Sequence, residues 1–559
     1  MDFDRKIYFG DYRCTNLKKL AAYIEELNET IEPLFDAHPL FKGEYALDYY
    51  EYLSRCELNS EPIEPKKVFE YIAPLYSNLP DWRNPGTMIN VIPAVNLVSA
   101  ATSSVTQMFN PNFAQDTYSG NLTLAELESV KYLSQIIGWD WEKSCGVFTF
   151  GGTGTNMYAT KLALCNADAE SGKYGAVKGR YFTLTSKNGH PTHYQICDWL
   201  GIGSDSCIEI ECNPDGRINV SEVKRVIREN IEVGRTFLGY NMTGGSTNEL
   251  IVDPIKEIYD LNDEIVKDYD LPYKPMIHVD SVLGWIFLFF RYYDFEKNPN
   301  DYPDDVLKRI KSMYDHVFEF KYADTLGVDF HKTGFCPYIT SAFVVKDRSK
   351  FFNLNPSTSI DLKDMKYGDY NPFYTSLEYS RTGVGPMAAL TCLKSLGTNS
   401  FCKLVGDLVL ATHIFRKRLK DNPHVFMLSD GSEGFATLFL LVPPRYGKLT
   451  YSTVFSLTDG QTKEIKDYNT RYGKFVLREC IERKTNFLFT SSRSYTLPGT
   501  DIKIGAIKAY PFSIFLTEEN AEVLAKEVGE SIQRFTDQDG DQACTRDEYF
   551  VDMTTAGKK

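Results

Sequence analysis

Between residues 146 and 330, short apolar runs alternate with longer stretches of helical period. GVFTF (146–150), GRYFTLTS (179–186), CIEIEC (207–212), FLGYNM (237–242), MIHVD (276–280) and TLGVDF (325–330) have the length and composition of buried strands. NMYATKLALCNAD (156–168), HYQICDWLG (193–201) and VSEVKRVIRENIEVG (220–234) space their apolar residues as helices do. This alternation predicts an α/β domain, a mostly parallel sheet with helices on its faces. Right-handed crossovers then bring the strand C-termini to one edge, where α/β proteins place their ligands.

The flanks differ. Residues 1–110 read as mostly helical, interrupted by the Pro-containing stretches 57–67 and 78–87. LTLAELESVKYLSQIIGW (122–139) reads as an amphipathic helix. After residue 395 come a helix (401–421), a strand-like FATLFLLVPP (435–444), a strand pair in IKIGAIKAYPFSIF (502–515) and a helix opened by Thr517. The expected division is a helical N-terminal segment (1–110), a large domain (111–395) and a small α+β domain (396–559).

Composition narrows the function classes. The chain has 559 residues, 43% hydrophobic and 24% charged, as in a soluble globular protein of several domains. A net charge of −14 leaves no excess of cations for nucleic acid. The strongly apolar run WIFLFF (285–290) is too short to cross a bilayer, so no membrane partner is expected. The N-terminal MDFDRKIYFGDYR has no apolar signal core. Twelve scattered cysteines, none in Cys-x-x-Cys, read as reduced thiols of a cytoplasmic protein.

Four chemically capable groups fall at strand ends. GGTGTN (151–156) opens a helix, so Gly152 and Thr153 can offer backbone N–H groups to an anion; alone it is equally a ligand-free turn. GHPTHYQ (189–195) brings His193, MIHVD ends in Asp280, and DFHK (329–332) brings His331 and Lys332. Each has an ordinary alternative: a structural histidine, a capping aspartate, a solvated lysine. Together and in this order they match what pyridoxal phosphate needs. Its phosphate wants a helix N-terminus and its ring a flat side chain. Its pyridine nitrogen wants a carboxylate, and its aldehyde a lysine amine.

The motifs resemble the group II pyridoxal-phosphate decarboxylases, which act on glutamate, aromatic amino acids, tyrosine, aspartate or cysteine sulfinate. FTFGGTGTNMYA (148–159) resembles that family's phosphate loop, and THYQICDWLGIG (192–203) its HYS segment. MIHVDSVLGW (276–285) is similar to HVDAAWGG, and ADTLGVDFHKTGFCPY (323–338) to the segment ending in DPHK. YSRTGVGPMAALTCLKSLG (379–397) resembles the segment with an active-site arginine. The resemblance implies the type I, aspartate-aminotransferase-like fold and a homodimer with active sites at the subunit interface. It makes Lys332 the Schiff-base lysine, His193 the ring-stacking residue, Asp280 the pyridine partner and His331 a phosphate neighbour. Gly152, Thr153, Thr243 and Val282 complete the cofactor contacts. The implied reaction is decarboxylation of an L-amino acid to its amine and carbon dioxide, through an external aldimine and a quinonoid.

The chain departs from the family pattern in places. HVDAA is HVDSV, so Val282 replaces a small residue. DPHK is DFHK. The strand end NMTGG (241–245) keeps Thr243 but has Met242 beside it. The loop NPSTSIDL (355–362) lacks the tyrosine that many members use to protonate the quinonoid, leaving Tyr367 and Tyr370 as stand-ins. Without one, reaction with oxygen to an aldehyde becomes the alternative chemistry. A catalytically silent partner protein is a further alternative. Arg381, Tyr367 and Pro93 are the substrate-contact candidates. No Cys/His metal set is expected. Asp537, Asp539, Asp541 and Glu548 match part of a calcium loop, whose glycine position holds Gln542.

Overall fold

The computed structural model describes residues 4–34, 48–77, 79–355, 362–497 and 500–538. Its first strand, β1 (Thr87–Met88), belongs to a small sheet met again near the C-terminus. β2 (Cys145–Thr149), β3 (Tyr181–Ser186), β4 (Cys207–Ile210), β5 (Thr236–Thr243), β6 (Met276–Asp280), β7 (Thr325–Asp329) and β8 (Ser341–Val345) form the large sheet. Their order is β2-β8-β7-β6-β5-β3-β4. The strands from β3 to β7 pair in parallel. β8 is antiparallel to both β7 and β2. Two reversals cancel, so β2 runs with the parallel strands and six strands finish at one edge. Those six are the apolar runs of the sequence.

Helices cover the faces. Leu124–Ile137 buries Val130, Leu133, Ile136 and Ile137 and stops where Gly138 turns left-handed at φ 93°. Val220–Glu232 starts at Asn219, whose side chain accepts the Glu222 N–H at 3.2 Å. The WIFLFF run lies in a 3₁₀ helix, Gly284–Tyr292, and Trp285 through Phe290 are buried within the main core. No helix among the described residues is long and apolar enough to cross a membrane.

The small sheet has the order β1-β11-β12-β10-β9, with β9 (Val425–Met427), β10 (Thr437–Leu441), β11 (Leu488–Thr496) and β12 (Lys503–Ala509). Here the sequence pattern misled. IKIGAIKAYPFSIF is one strand, not two; its partners are β11 and β10. Pro511 lacks the N–H that would continue the ladder. A long helix, Val384–Lys420, breaks at Gly397 (φ 63°, ψ 176°) and links the two sheets' layers. Helix Glu518–Asp537 is capped by Thr517, whose hydroxyl accepts the Asn520 N–H at 3.2 Å.

Candidate active site

The C-terminal edge of the large sheet gathers the four groups. β2 gives way to Gly151, at φ 108°, and the helix Gly152–Ala167 begins at once. Its first N–H groups have no intrahelical acceptor, and the helix dipole adds positive potential there. Gly152 is needed for space: a Cβ would lie 2.8 Å from Val282 Cγ1 and 3.1 Å from Asp329 Oδ2. Thr153, half-buried, follows in the first turn.

Asp280 ends β6 and is buried. Its Oδ2 accepts from Asn156 Nδ2 at 2.8 Å and lies 3.8 Å from His193 Nε2. Asn156 Oδ1 in turn faces His278 Nε2 at 2.8 Å, and His278 Nδ1 faces Thr325 Oγ1 at 2.9 Å. Burial pushes His193 down to about 4 and His278 down to about 3, so both rings are neutral at pH 7. Burial alone would raise Asp280. His193, His190 and the Asn156 hydrogen bond outweigh it and hold the carboxyl below its usual range. The result is a buried carboxylate held below its usual range, with Oδ1 left without a partner.

Lys332 follows β7. Its Nζ lies 2.8 Å from Asp329 Oδ2, while Asp329 Oδ1 accepts from Ser341 Oγ at 2.5 Å. Burial disfavours the ammonium, but Asp329 and Asp280 overcome it, so the Lys332 pKa is raised. His331 packs against Tyr338, ring centroids 4.0 Å apart, and its Nδ1 lies 3.1 Å from the Thr340 carbonyl oxygen. The Phe330 departure has a structural cause. Its ring stacks on Phe148 and packs at a tilt against Trp285 in the core. Its N–H donates to Thr340 O at 2.9 Å, a bond proline could not make.

Thr243 ends β5 with its N–H held by Asp253 Oδ2 at 2.8 Å. Its hydroxyl is buried beside the Asp253 carboxyl, and Thr185 Oγ1 and His193 Nδ1 are buried without a partner. Gly189 sits between the two threonine hydroxyls; a Cβ there would be 2.5 Å from one and 3.6 Å from the other. Buried polar atoms are nearly always paired, so this cluster of orphans, with Asp280 Oδ1 among them, marks the place of a polar ligand. A phosphate at the helix start, a protonated ring nitrogen at Asp280 and an aldehyde at Lys332 fit the set. The residues present therefore suit pyridoxal phosphate.

Several substrate candidates sit elsewhere. Arg381 forms a buried ion pair with Glu126, Nη1 to Oε2 at 2.5 Å and Nη2 to Oε1 at 2.9 Å. The same two nitrogens donate to Phe148 O and Phe113 O. Arg381 is thus a strut, because its terminal donors are taken. Tyr370 is half-buried and donates to Glu126 Oε1 at 2.7 Å, whereas Tyr367 is 70% exposed. Pro93 is buried just ahead of helix Leu97–Phe109, beside Asn96, whose N–H donates to Phe335 O. Most of the loop NPSTSIDL (356–361), together with Asp539, Asp541 and Glu548, lies outside the described residues. Asp537 takes a hydrogen bond from Gln533, and no three potential metal ligands cluster among the described residues.

Sequence reasoning passed over three residues here. Asn156 and Asp329 stood inside the quoted motifs but were given no role. Lys508 carried no signal, since it comes from β12 of the other sheet. It is buried, reaches Asn248 Oδ1 at 3.4 Å and acts electrostatically on His190. Burial pushes its ammonium down to about 8.

Comparisons agree with this geometry. The model of the pyridoxal-dependent decarboxylase conserved domain matches residues 59–439. The L-tyrosine decarboxylase of Enterococcus faecalis is 30% identical over 193 residues, 32% of this chain and 30% of that protein. The L-2,4-diaminobutyrate decarboxylase of Rhizobium meliloti is 24% identical over 331 residues, 59% of this chain and 58% of that protein. The chain thus spans less than two thirds of either relative. Among solved structures, mouse CSAD superposes with a TM-score of 0.73 at 17% identity, covering 92% of this chain and 99% of that one. Tryptophan decarboxylase of Catharanthus roseus, in complex with L-tryptophan, gives 0.70 at 15%, covering 96% and 99%. These structures share the type I fold of pyridoxal-phosphate enzymes. With the fold, the strand-end site and a family model spanning most of the chain in agreement, the chain belongs to the pyridoxal-dependent decarboxylase family.

Proposed function

We propose that the protein decarboxylates an L-amino acid to its amine and carbon dioxide with pyridoxal phosphate as cofactor. The observation that carries this is the buried Asp280 carboxylate, kept ionised between Asn156 and His193 with Oδ1 free, on the same edge as Lys332. When bound, pyridoxal phosphate supplies an aldehyde for an amine and a ring that withdraws electrons from the bond being broken.

The chain's own residues do the rest. Gly152 and Thr153 offer N–H groups, and Thr243 its hydroxyl, to the phosphate. Asp280 Oδ1 would accept a hydrogen bond from the protonated ring nitrogen, and neutral His193 would cover the ring without adding charge. Val282 lies beside Gly152 under the same space. Lys332 Nζ takes and returns the proton exchanged when a substrate amine arrives and a product amine leaves, with Asp329 holding it in place. Lys508 is the cation best placed to hold a substrate carboxylate, and it fixes the orientation of the bond to be cleaved. The names of the relatives favour an aromatic or an amine-bearing substrate.

Nothing in the site or the relatives supports oxidative chemistry or a silent partner. The protein assembles as a homodimer in this reading. Phe150, Tyr338 and Ile339, at 43%, 54% and 51% exposure, offer apolar surface beside the site for a second copy to cover. A cytoplasmic location is supported by free cysteines throughout the described residues. The division at 110/111 and 395/396 is likewise our reading, supported by two separate sheets and the break at Gly397, although β1 from the first segment joins the small sheet.

The test is a screen of amino acids for carbon dioxide and amine, run with Lys332→Ala beside the wild type. The variant is expected to release neither and to lose the visible absorbance of lysine-bound cofactor. Normal turnover by the variant would refute the assignment.

A further inference from the structure

The segment after β5 has two sides. One presents Thr243 to the cofactor site. The other, around Glu249, walls a second cavity of about 330 Å³ between the large sheet's edge and the small sheet. Phe426, Tyr451 and Tyr495 line it together with Glu249. Phe426 and Tyr451 meet edge to face with centroids 5.2 Å apart. Tyr495 is buried and donates its hydroxyl to Glu249 Oε2 at 2.7 Å.

The charges in this cavity do not cancel. Arg217 is one wall cation, lying 3.9 Å from Asp215 and against His316. Glu433 faces the same His316 at 3.5 Å and also acts on Arg217. Arg217 is therefore answered from both sides. Glu249 has no ion pair among the described residues. Arg416, the cation that acts on it, donates instead to the carbonyls of Ser432 and Ala436. Burial lifts the Glu249 carboxyl above its usual range despite Tyr495 and Arg416. An under-compensated carboxylate facing aromatic rings is the combination that attracts an organic cation, through charge and through the ring faces. Three carboxylates against one arginine on the wall disfavour an anion.

We propose that this cavity binds an organic ammonium ion, its charge against Glu249 and its alkyl groups between Tyr451, Tyr495 and Phe426. The volume suits a small ligand. None of the residues assigned to the cofactor lines it, so it is a second site. Because amines are what decarboxylation yields, an effector role would rest on the proposed activity; the binding itself does not.

The experiment is calorimetric titration of the holoenzyme with choline, whose quaternary nitrogen cannot condense with the cofactor aldehyde. The control is the uncharged alcohol with carbon in place of that nitrogen. Choline is expected to bind saturably, once per chain, and the alcohol not to bind. Glu249→Gln keeps an acceptor for Tyr495, and Tyr451→Leu alters a side chain that is 50% exposed, so both are expected to fold. Either should weaken choline about tenfold or more while the cofactor's absorbance stays unchanged. Absence of saturable choline binding, equal binding of the alcohol, or unchanged affinity in both folded variants would overturn the proposal.

Discussion

His193 and His278 flank Asp280 where burial holds both imidazoles neutral, down to about 4 and about 3 from 6.5. In the unfolded chain they would take protons from about pH 6.5 downward, and in the folded chain they do not. The unfolded state therefore binds more protons in that window, and stability falls as pH drops from about 6.5 towards 4, by roughly 1.4 kcal/mol per unit for each ring. Urea unfolding of cofactor-free protein at pH 7 and pH 5 should show this decline, and His193→Gln should reduce it; an equal decline in the variant would mean His193 is not kept neutral. Lys508 titrates on the other side. Its ammonium, needed for a carboxylate, is pushed down to about 8, so kcat/KM should fall as pH rises through that value. Lys508→Arg should move the fall upward, and Lys508→Met should cost about tenfold or more in kcat/KM across the range. A flat profile in the wild type would remove Lys508 from substrate binding.

At the scale of elements, the cofactor cradle depends on how closely one helix start approaches two strand ends. Gly152 leaves no room for a Cβ between Val282 Cγ1 and Asp329 Oδ2. Gly152→Ala should weaken cofactor retention, measured by the pyridoxal phosphate released on dialysis. Val282→Ala in the same chain should restore part of it, because the tighter of the two contacts is then relieved. No restoration would place the fault at Asp329. The strand-end motifs were legible in the sequence because strand, turn and helix start are local patterns, and Asp280, His193 and Lys332 sit within them. Asn156 lay in the same motif, yet its hold on Asp280 comes from β6 lying across from its helix, which no spacing reveals. The strand pair expected at 502–515 failed for the related reason that β12 finds its partners in β11 and β10, both earlier in the chain.

For the molecule as a whole, one buried ion pair joins distant pieces. Glu126, from helix Leu124–Ile137, takes Arg381, the Phe148 N–H from β2 and the Tyr370 hydroxyl. Arg381→Met would leave Glu126 buried and short of its cation, so we expect a loss of about 3–5 kcal/mol in unfolding free energy. Converting Glu126 to Gln in that background should recover part of the loss, as denaturant titration will report; a loss under about 1 kcal/mol would mean that the pair is solvated. By itself the sequence pointed to the family and the parallel sheet and singled out Lys332, Asp280 and His193 as candidates, because each is written in a continuous stretch with its own local pattern. Only the tertiary structure gives Arg381 its buried Glu126 partner, packs Phe330 into the core and brings Lys508 from another sheet towards His190. Those placements are set by partners from separate elements of the chain, and burial, which governs both charge and pairing, exists only once the chain has folded.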